Sequence, residues 1–149
     1  MSFRSVLDKF AIDEIKPFQK ETFESLLDKK DVYLSVKTGG GKSLCFQGFP
    51  LLWMERNKSE TECKVLVISP LISIMKEQSD YLKSIGFTAT YIGESDDHDH
   101  DILEGNYQFL FSSPESILSV TKWRGMLTSP AYRNVQLFVV DEAHTVLQW

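Results

Sequence analysis

Positive charge is what this sequence has least to spare: 16 Lys and Arg stand against 21 Asp and Glu, for a formal net charge of −5. A chain that grips nucleic acid by overall charge is therefore excluded, and any such contact must come from local groups. Cysteine is nearly absent. Cys45 and Cys63 have neither CxxC nor other metal-type spacing, which argues against a disulfide framework and for a reducing intracellular compartment. No apolar run approaches membrane-spanning length, and the first residues lack the apolar core of a signal peptide, so no membrane partner is expected. What remains is ordinary for a chain that buries a core. Its 149 residues are 42% hydrophobic and 25% charged, enough for one domain or part of one.

Short apolar runs rich in β-branched and aromatic residues recur at residues 31–36, 64–69, 89–92, 108–111 and 135–140. They are near-continuous rather than alternating, the pattern of strands covered on both faces. Helical periods lie between them. Leu71, Ile74, Met75, Leu82 and Ile85 fall on one helix face, and Phe23, Leu26 and Leu27 follow Pro17, a residue suited to a helix start. Phe18 and Phe23 read as core packing. Strands alternating with helices predict an α/β layer with a parallel sheet. The acidic stretch 94–101, ESDDHDHD, reads as a solvated loop. Its His98 and His100 alternate with aspartates, but no metal is assigned there.

The segment LSVKTGGGKSLCFQ, residues 34–47, carries the chemistry. A predicted strand ends, Gly39, Gly40 and Gly41 follow, and Lys42-Ser43 opens a helix. Glycines let the backbone turn tightly and bring its N–H groups onto phosphate oxygens, and the new helix adds the positive end of its dipole. Lys42 can reach the β- and γ-phosphates, and the Ser43 hydroxyl can ligate Mg2+. The strict pattern has glycine where this chain has Val36. A glycine-rich turn capping an ordinary helix is the plainer alternative, and the strand-before, helix-after context speaks against it. About a hundred residues on, Leu137-Phe138-Val139-Val140-Asp141-Glu142-Ala143-His144 is an apolar strand ending in two carboxylates. Asp141 can hold Mg2+ through its water shell, and Glu142 can polarise an attacking water. ATP and Mg2+ are the ligands these two segments predict.

Four segments, KTGGGKSLCFQ, VISPLISIMKEQ, FLFSSPESIL and VVDEAHTVLQW, occur in the order and spacing of the RecQ family. The chain resembles that family over residues 10–149. The resemblance implies a three-layer RecA-like P-loop domain with a mainly parallel sheet, truncated before its last strands. It implies ATP hydrolysis coupled to unwinding of DNA in the 3′ to 5′ direction. Ile15-Lys16-Pro17-Phe18-Gln19 is similar to the family's nucleotide-recognition element, so Gln19 is the expected adenine reader, with Lys16 where the family has Arg and Ile12 where it has an aromatic residue. Lys16, Gln19, Thr38, Gly39, Gly40, Gly41, Lys42, Ser43 and Asp141 form the implied nucleotide set, and Lys42, Asp141, Glu142 and His144 the catalytic one. Lys37, where the family commonly has proline, either adds charge near the phosphates or faces solvent.

The same resemblance makes single-stranded or partly duplex DNA the partner, through Ser69, Ser73, Lys76, Ser113 and Trp149. Strand ends and helix N-termini offer N–H groups and hydroxyls to phosphates without net positive charge. The family's core has a second RecA-like domain that supplies arginine fingers. Residues 1–149 are thus expected to be an incomplete first domain that needs the second for full activity, with a nuclear address in a eukaryote. Two other readings stay open: a silent module that binds ATP or single-stranded DNA, and, more remotely, an unrelated P-loop kinase or transporter ATPase. Ile12 cannot stack on a base as a ring does, and Lys16 lacks the flat guanidinium. Comparable affinity for ATP and GTP is therefore expected in a competition assay, and a strong adenine preference would contradict it.

Overall fold

A computed structural model describes residues 2–34, 41–58, 62–133 and 135–141. The chain divides into two compact units, Met1–Glu62 and Cys63–Trp149.

The described part of the first unit is helical. Helix α1 runs Arg4–Phe10, α2 Pro17–Leu27, α3 Leu44–Gln47 and α4 Phe49–Asn57. Pro17 sits at the first position of α2, where its fixed φ suits a helix and its missing N–H costs nothing. Val6, Phe23, Phe49 and Leu52, each 2% exposed or less, form the unit's interior. Phe23 is core, as its sequence position predicts, and Phe18 is half-buried. The run expected as a strand from Asp31 is not one over its described part. Residues 31–34 carry no strand and Tyr33 is 82% exposed. Strand-forming residues make a strand only when a neighbour completes the ladder, and no described strand does so here.

The second unit is an α/β sandwich around four parallel strands in the order β2-β3-β1-β4. They are β1 (Lys64–Ile68), β2 (Ala89–Tyr91), β3 (Phe109–Ser112) and β4 (Val135–Val140). Between them come α5 (Ile72–Ser84), α6 (Asp99–Leu103), α7 (Pro114–Ser119) and α8 (Thr121–Met126). Parallel crossovers are right-handed. The step from β1 to β2 runs one way across the sheet, and the steps from β2 to β3 and from β3 to β4 run the other. Helix α5 therefore covers one face, while α6, α7 and α8 cover the opposite one. The core agrees. Leu66 and Leu110 on the second face cluster with Ile102, Ile117, Trp123 and Met126. Tyr132 joins them, its hydroxyl donating to the Ile102 carbonyl, and burial pushes that phenol up. On α5, Met75, Ser79 and Leu82 make the buried stripe. Leu71 does not belong to it. As the extended residue before α5 (φ −117°, ψ 119°) it leaves the helix face and is 51% exposed.

Two further expectations change. The acidic stretch is not a loop but a short 3-10 turn, Asp96–His98, running into α6. Buried Ile102 anchors it, aspartates occupy the first turn of α6 where the helix dipole favours them, and Lys122 pairs with Asp99 at 2.6 Å. Glu94, accepting from Thr90 Oγ1 at 2.8 Å, ties its start to β2. Strand β4 is not covered on both faces, since its burial alternates and Phe138 and Val140 are 60% and 49% exposed. It lies at the end of the described strand order, and Phe138, in register with Leu66, stands on the face of α6, α7 and α8.

Both thiols are inert by burial, which pushes Cys45 up to about 11 and Cys63 up to about 12. After α6 the chain reverses at Gly105, whose φ of +75° favours glycine, and a Cβ there would lie 2.8 Å from the Ala131 carbonyl oxygen. Gly105→Ala is expected to cost about 2 kcal/mol, combining left-handed strain with the clash, read as a lower midpoint in urea unfolding.

Candidate nucleotide and nucleic-acid site

The described phosphate segment begins at Gly41, with φ +91°, and passes through Lys42 and Ser43 into α3. The turn is fixed by its own backbone. Cys45 N–H donates to the Lys42 carbonyl at 3.1 Å, and Phe46 and Gln47 N–H donate to the Ser43 carbonyl at 3.2 and 3.0 Å. Ser43 is the residue before α3, yet its hydroxyl does not cap the helix. It is half-buried and thus keeps a hydroxyl of the kind that ligates Mg2+. Thr38, Gly39 and Gly40 lie outside the described residues.

Gln19 joins this turn to the start of α2. Its Oε1 accepts from Lys16 N–H at 2.9 Å, and its Nε2 donates to the Gly41 carbonyl at 2.8 Å. Gln19 is 4% exposed, so its carboxamide faces inward. Lys16 is exposed, and its Nζ lies 3.5 Å from where a Cβ on Gly41 would stand. No sequence pattern points to the bond from Gln19 to Gly41. The other half of the arrangement has a signal: Gln at the third helical position reaches back to the N–H before the helix, as in a capping box.

In the second unit the carboxyl ends of β1, β3 and β4 stand level. Ser69 N–H donates to the Ser112 carbonyl, and Asp141 N–H to the Ile68 carbonyl, both at 2.9 Å. Ser69, Ser113 and Asp141 are thereby placed at one edge of the sheet. The loops leaving the neighbouring strands β1 and β3 depart to opposite faces, which makes this edge a topological switch point, where open α/β sheets bind ligands. Its candidate side chains differ in their reach. Ser73 and Lys76 are exposed, one turn apart on α5. Ser69 is only 1% exposed, and its hydroxyl has no hydrogen-bond partner among the described residues. Ser113 is half-buried and occupied as the cap of α7, accepting from Ser116 N–H at 3.2 Å. Glu142, His144 and Trp149 lie outside the described residues.

Residues 16–149 match the family described as DEAD/DEAH box helicase. ATP-dependent DNA helicase Q-like SIM of Arabidopsis thaliana is 33% identical over 145 residues, covering 95% of this chain and 16% of that protein. ATP-dependent DNA helicase Q1 of Rattus norvegicus is 32% identical, covering 95% of this chain and 23% of the other. ATP-dependent DNA helicase RecQ of Pasteurella multocida (strain Pm70) is also 32% identical, covering 94% of this chain and 21% of its own. The chain thus spans about a sixth to a quarter of the length of these relatives. The crystal structure of the DUF1998 helicase MrfA bound to DNA and AMPPNP has the same fold, with a TM-score of 0.74 at 19% identity over 96% of this chain and 21% of that one.

The Ser113 cap on α7 can be tested by substitution. Ser113→Ala is expected to lower stability by about 1 kcal/mol, and Ser113→Asp, which restores an acceptor, to recover most of it in thermal melts.

Proposed function

The chain belongs to the DEAD/DEAH box helicase family, and on that premise we propose that it is the ATP- and Mg2+-binding part of a RecQ-like DNA helicase that unwinds in the 3′ to 5′ direction when complete. The observation that carries this reading is the turn at Gly41. A residue at positive φ leads directly into Lys42 and Ser43 at the head of a helix, the arrangement that presents N–H groups, an ammonium and a hydroxyl to a polyphosphate.

In this reading Lys42 neutralises the β- and γ-phosphates, and Ser43 supplies a hydroxyl to Mg2+. Asp141 supplies a carboxylate at the end of β4. The metal's chemistry, when bound, is to offset charge on the transferring phosphoryl group. Glu142 orients the attacking water, and His144 connects that carboxylate segment to the DNA-contacting end at Trp149. Thr38, Gly39 and Gly40 complete the phosphate cradle.

DNA is read through its backbone. Exposed Ser73 and Lys76 offer a hydroxyl and an ammonium to phosphates beside the switch point of the sheet. Ser69 and Ser113 contribute there by shaping the strand ends, since one hydroxyl is buried and the other caps a helix. Acidic overall charge is compatible with such local contacts. Full turnover requires a second RecA-like domain, whose arginines stabilise the transferring phosphate.

Two outcomes follow. Lys42→Ala is expected to weaken binding of a fluorescent ATP analogue at least tenfold, and unchanged affinity would overturn the reading. Residues 1–149 alone are expected to hydrolyse ATP near background with or without single-stranded DNA, and robust DNA-stimulated turnover would remove the need for a second domain.

A further inference from the structure

We infer that helix α1, which carries no residue of the nucleotide set, braces the phosphate turn through a close-packed junction at Gly48. The inference rests on the nucleotide reading above and adds Val6, Phe23 and Gly48 to it as positioning residues.

The backbone does not ask for glycine at this position. Gly48 has φ −84° and ψ −14°, a helical conformation open to any residue. Alanine would hold that conformation better, because glycine loses more freedom when it is ordered. The reason for glycine is space. A Cβ here would lie 3.1 Å from Phe23 Cζ, 3.2 Å from Val6 Cγ1 and 3.3 Å from the Leu44 carbonyl oxygen. Carbon atoms pack best at about 3.5–4.0 Å. Neither carbon neighbour has room to retreat, since Val6 and Phe23 are both 0% exposed. Phe23 is also backed by Phe3, with ring centroids 6.0 Å apart. A methyl group at position 48 would therefore push on the third neighbour, α3.

Helix α3 is the element least able to resist. It has four residues, and one turn of helix is marginal without support. The ladder of α4 does not run on into it, because Pro50 has no N–H to offer the Phe46 carbonyl. Support comes from packing: α2 lies against α3 and α4, and α1 against α4. The phosphate turn in turn takes its position from α3. Phe46 and Gln47 N–H donate to the Ser43 carbonyl, and Gly48 N–H donates to the Leu44 carbonyl at 2.9 Å. Gly48 stands five residues past Ser43, about 7.5 Å along a helix. A displacement at the junction is thus delivered to Lys42 and Ser43. Such coupling is reciprocal, so a ligand that fixes the turn also steadies α1.

The test makes the clash and then relieves it. ATP and inorganic tripolyphosphate are titrated against the 149-residue chain, Gly48→Ala, and the double variant Val6→Ala with Gly48→Ala. A brace predicts about fivefold weaker binding of both ligands by Gly48→Ala, the low end of what overpacking costs. The double variant, in which Val6→Ala makes room for the new methyl, is expected to recover to within about twofold. Leu52→Ala, a loss in the same interior, controls for stability: it lowers the urea midpoint and leaves the affinity of the folded chain unchanged. If Gly48→Ala binds as tightly as the unaltered chain, or more tightly as helix preference alone would give, the inference is overturned. A loss that the double variant does not recover overturns it as well.

Hydrogen exchange gives a second readout that needs no double variant. Saturating tripolyphosphate is expected to slow the amides of Leu7 and Ile12, which bond to the Phe3 and Leu7 carbonyls, several-fold in the unaltered chain. No change in α1 on saturation would contradict the brace. If the unaltered chain binds neither ligand, the nucleotide reading fails. Ligand-free exchange of the Phe46 and Gln47 amides, expected to be several-fold faster in Gly48→Ala, then still decides whether the junction holds the turn.

Discussion

The second unit depends on keeping three parallel strands in step. Strand β1 has β3 on one side and β4 on the other, and Val65, Leu66 and Val67 have register partners in both. Because side chains alternate along a strand, a slip of one residue in either pairing would exchange the faces met by α5 and by Trp123 and Met126. The register is enforced by the layers on both sides: Val65, Val67, Phe109 and Phe111 on one face and Leu66 and Leu110 on the other are at most 2% exposed. The same register sets where the strands end, and so brings Ser69, Ser113 and Asp141 to one level. The alignment of these candidate residues is a by-product of packing.

The first unit solves a different problem, holding a glycine turn without a ladder among its described residues. In the proposed reading the turn presents N–H groups to an anion, and such a turn cannot use them all on itself. Backbone bonds from Cys45, Phe46 and Gln47 close the helix side of the turn, and Gln19 holds the Gly41 side. The hold is taken on a carbonyl, not on an N–H of the turn. Gln19 is buried, as are Thr22 and Phe23 one turn further along α2.

Much of this is legible in the residues. The run at 135–140 is the strand Val135–Val140 unchanged, and three other apolar runs are strands within one residue of their expected ends. Those segments read true because their β-branched and aromatic residues are buried on both faces, or at least on one. The run from Asp31 forms no strand over its described residues, 31–34, because a strand is a relation between two segments, and composition describes only one. The acidic stretch fails for the opposite reason: its charges suggest solvent, while one apolar residue, Ile102, draws it onto the core. At the site, Gly41-Lys42-Ser43 can be recognised because glycine and helix-start chemistry are local. The partner of Gln19, 22 residues away, is set by how the chain folds back, which no local pattern encodes.

Strand order also fixes a timetable. On the ribosome β1 emerges first, β3 later supplies its neighbour on one side, and β4 closes the other side last. With Ser112 ending β3 and Val135 opening β4, synthesis at about 5–20 residues per second leaves that second side of β1 uncovered for about one to five seconds. For that interval the nascent chain presents an unsatisfied row of backbone groups flanked by Val65, Leu66 and Val67, the kind of surface that recruits chaperones or other nascent strands. The sheet that aligns the strand ends thus carries an open strand edge while it is being made.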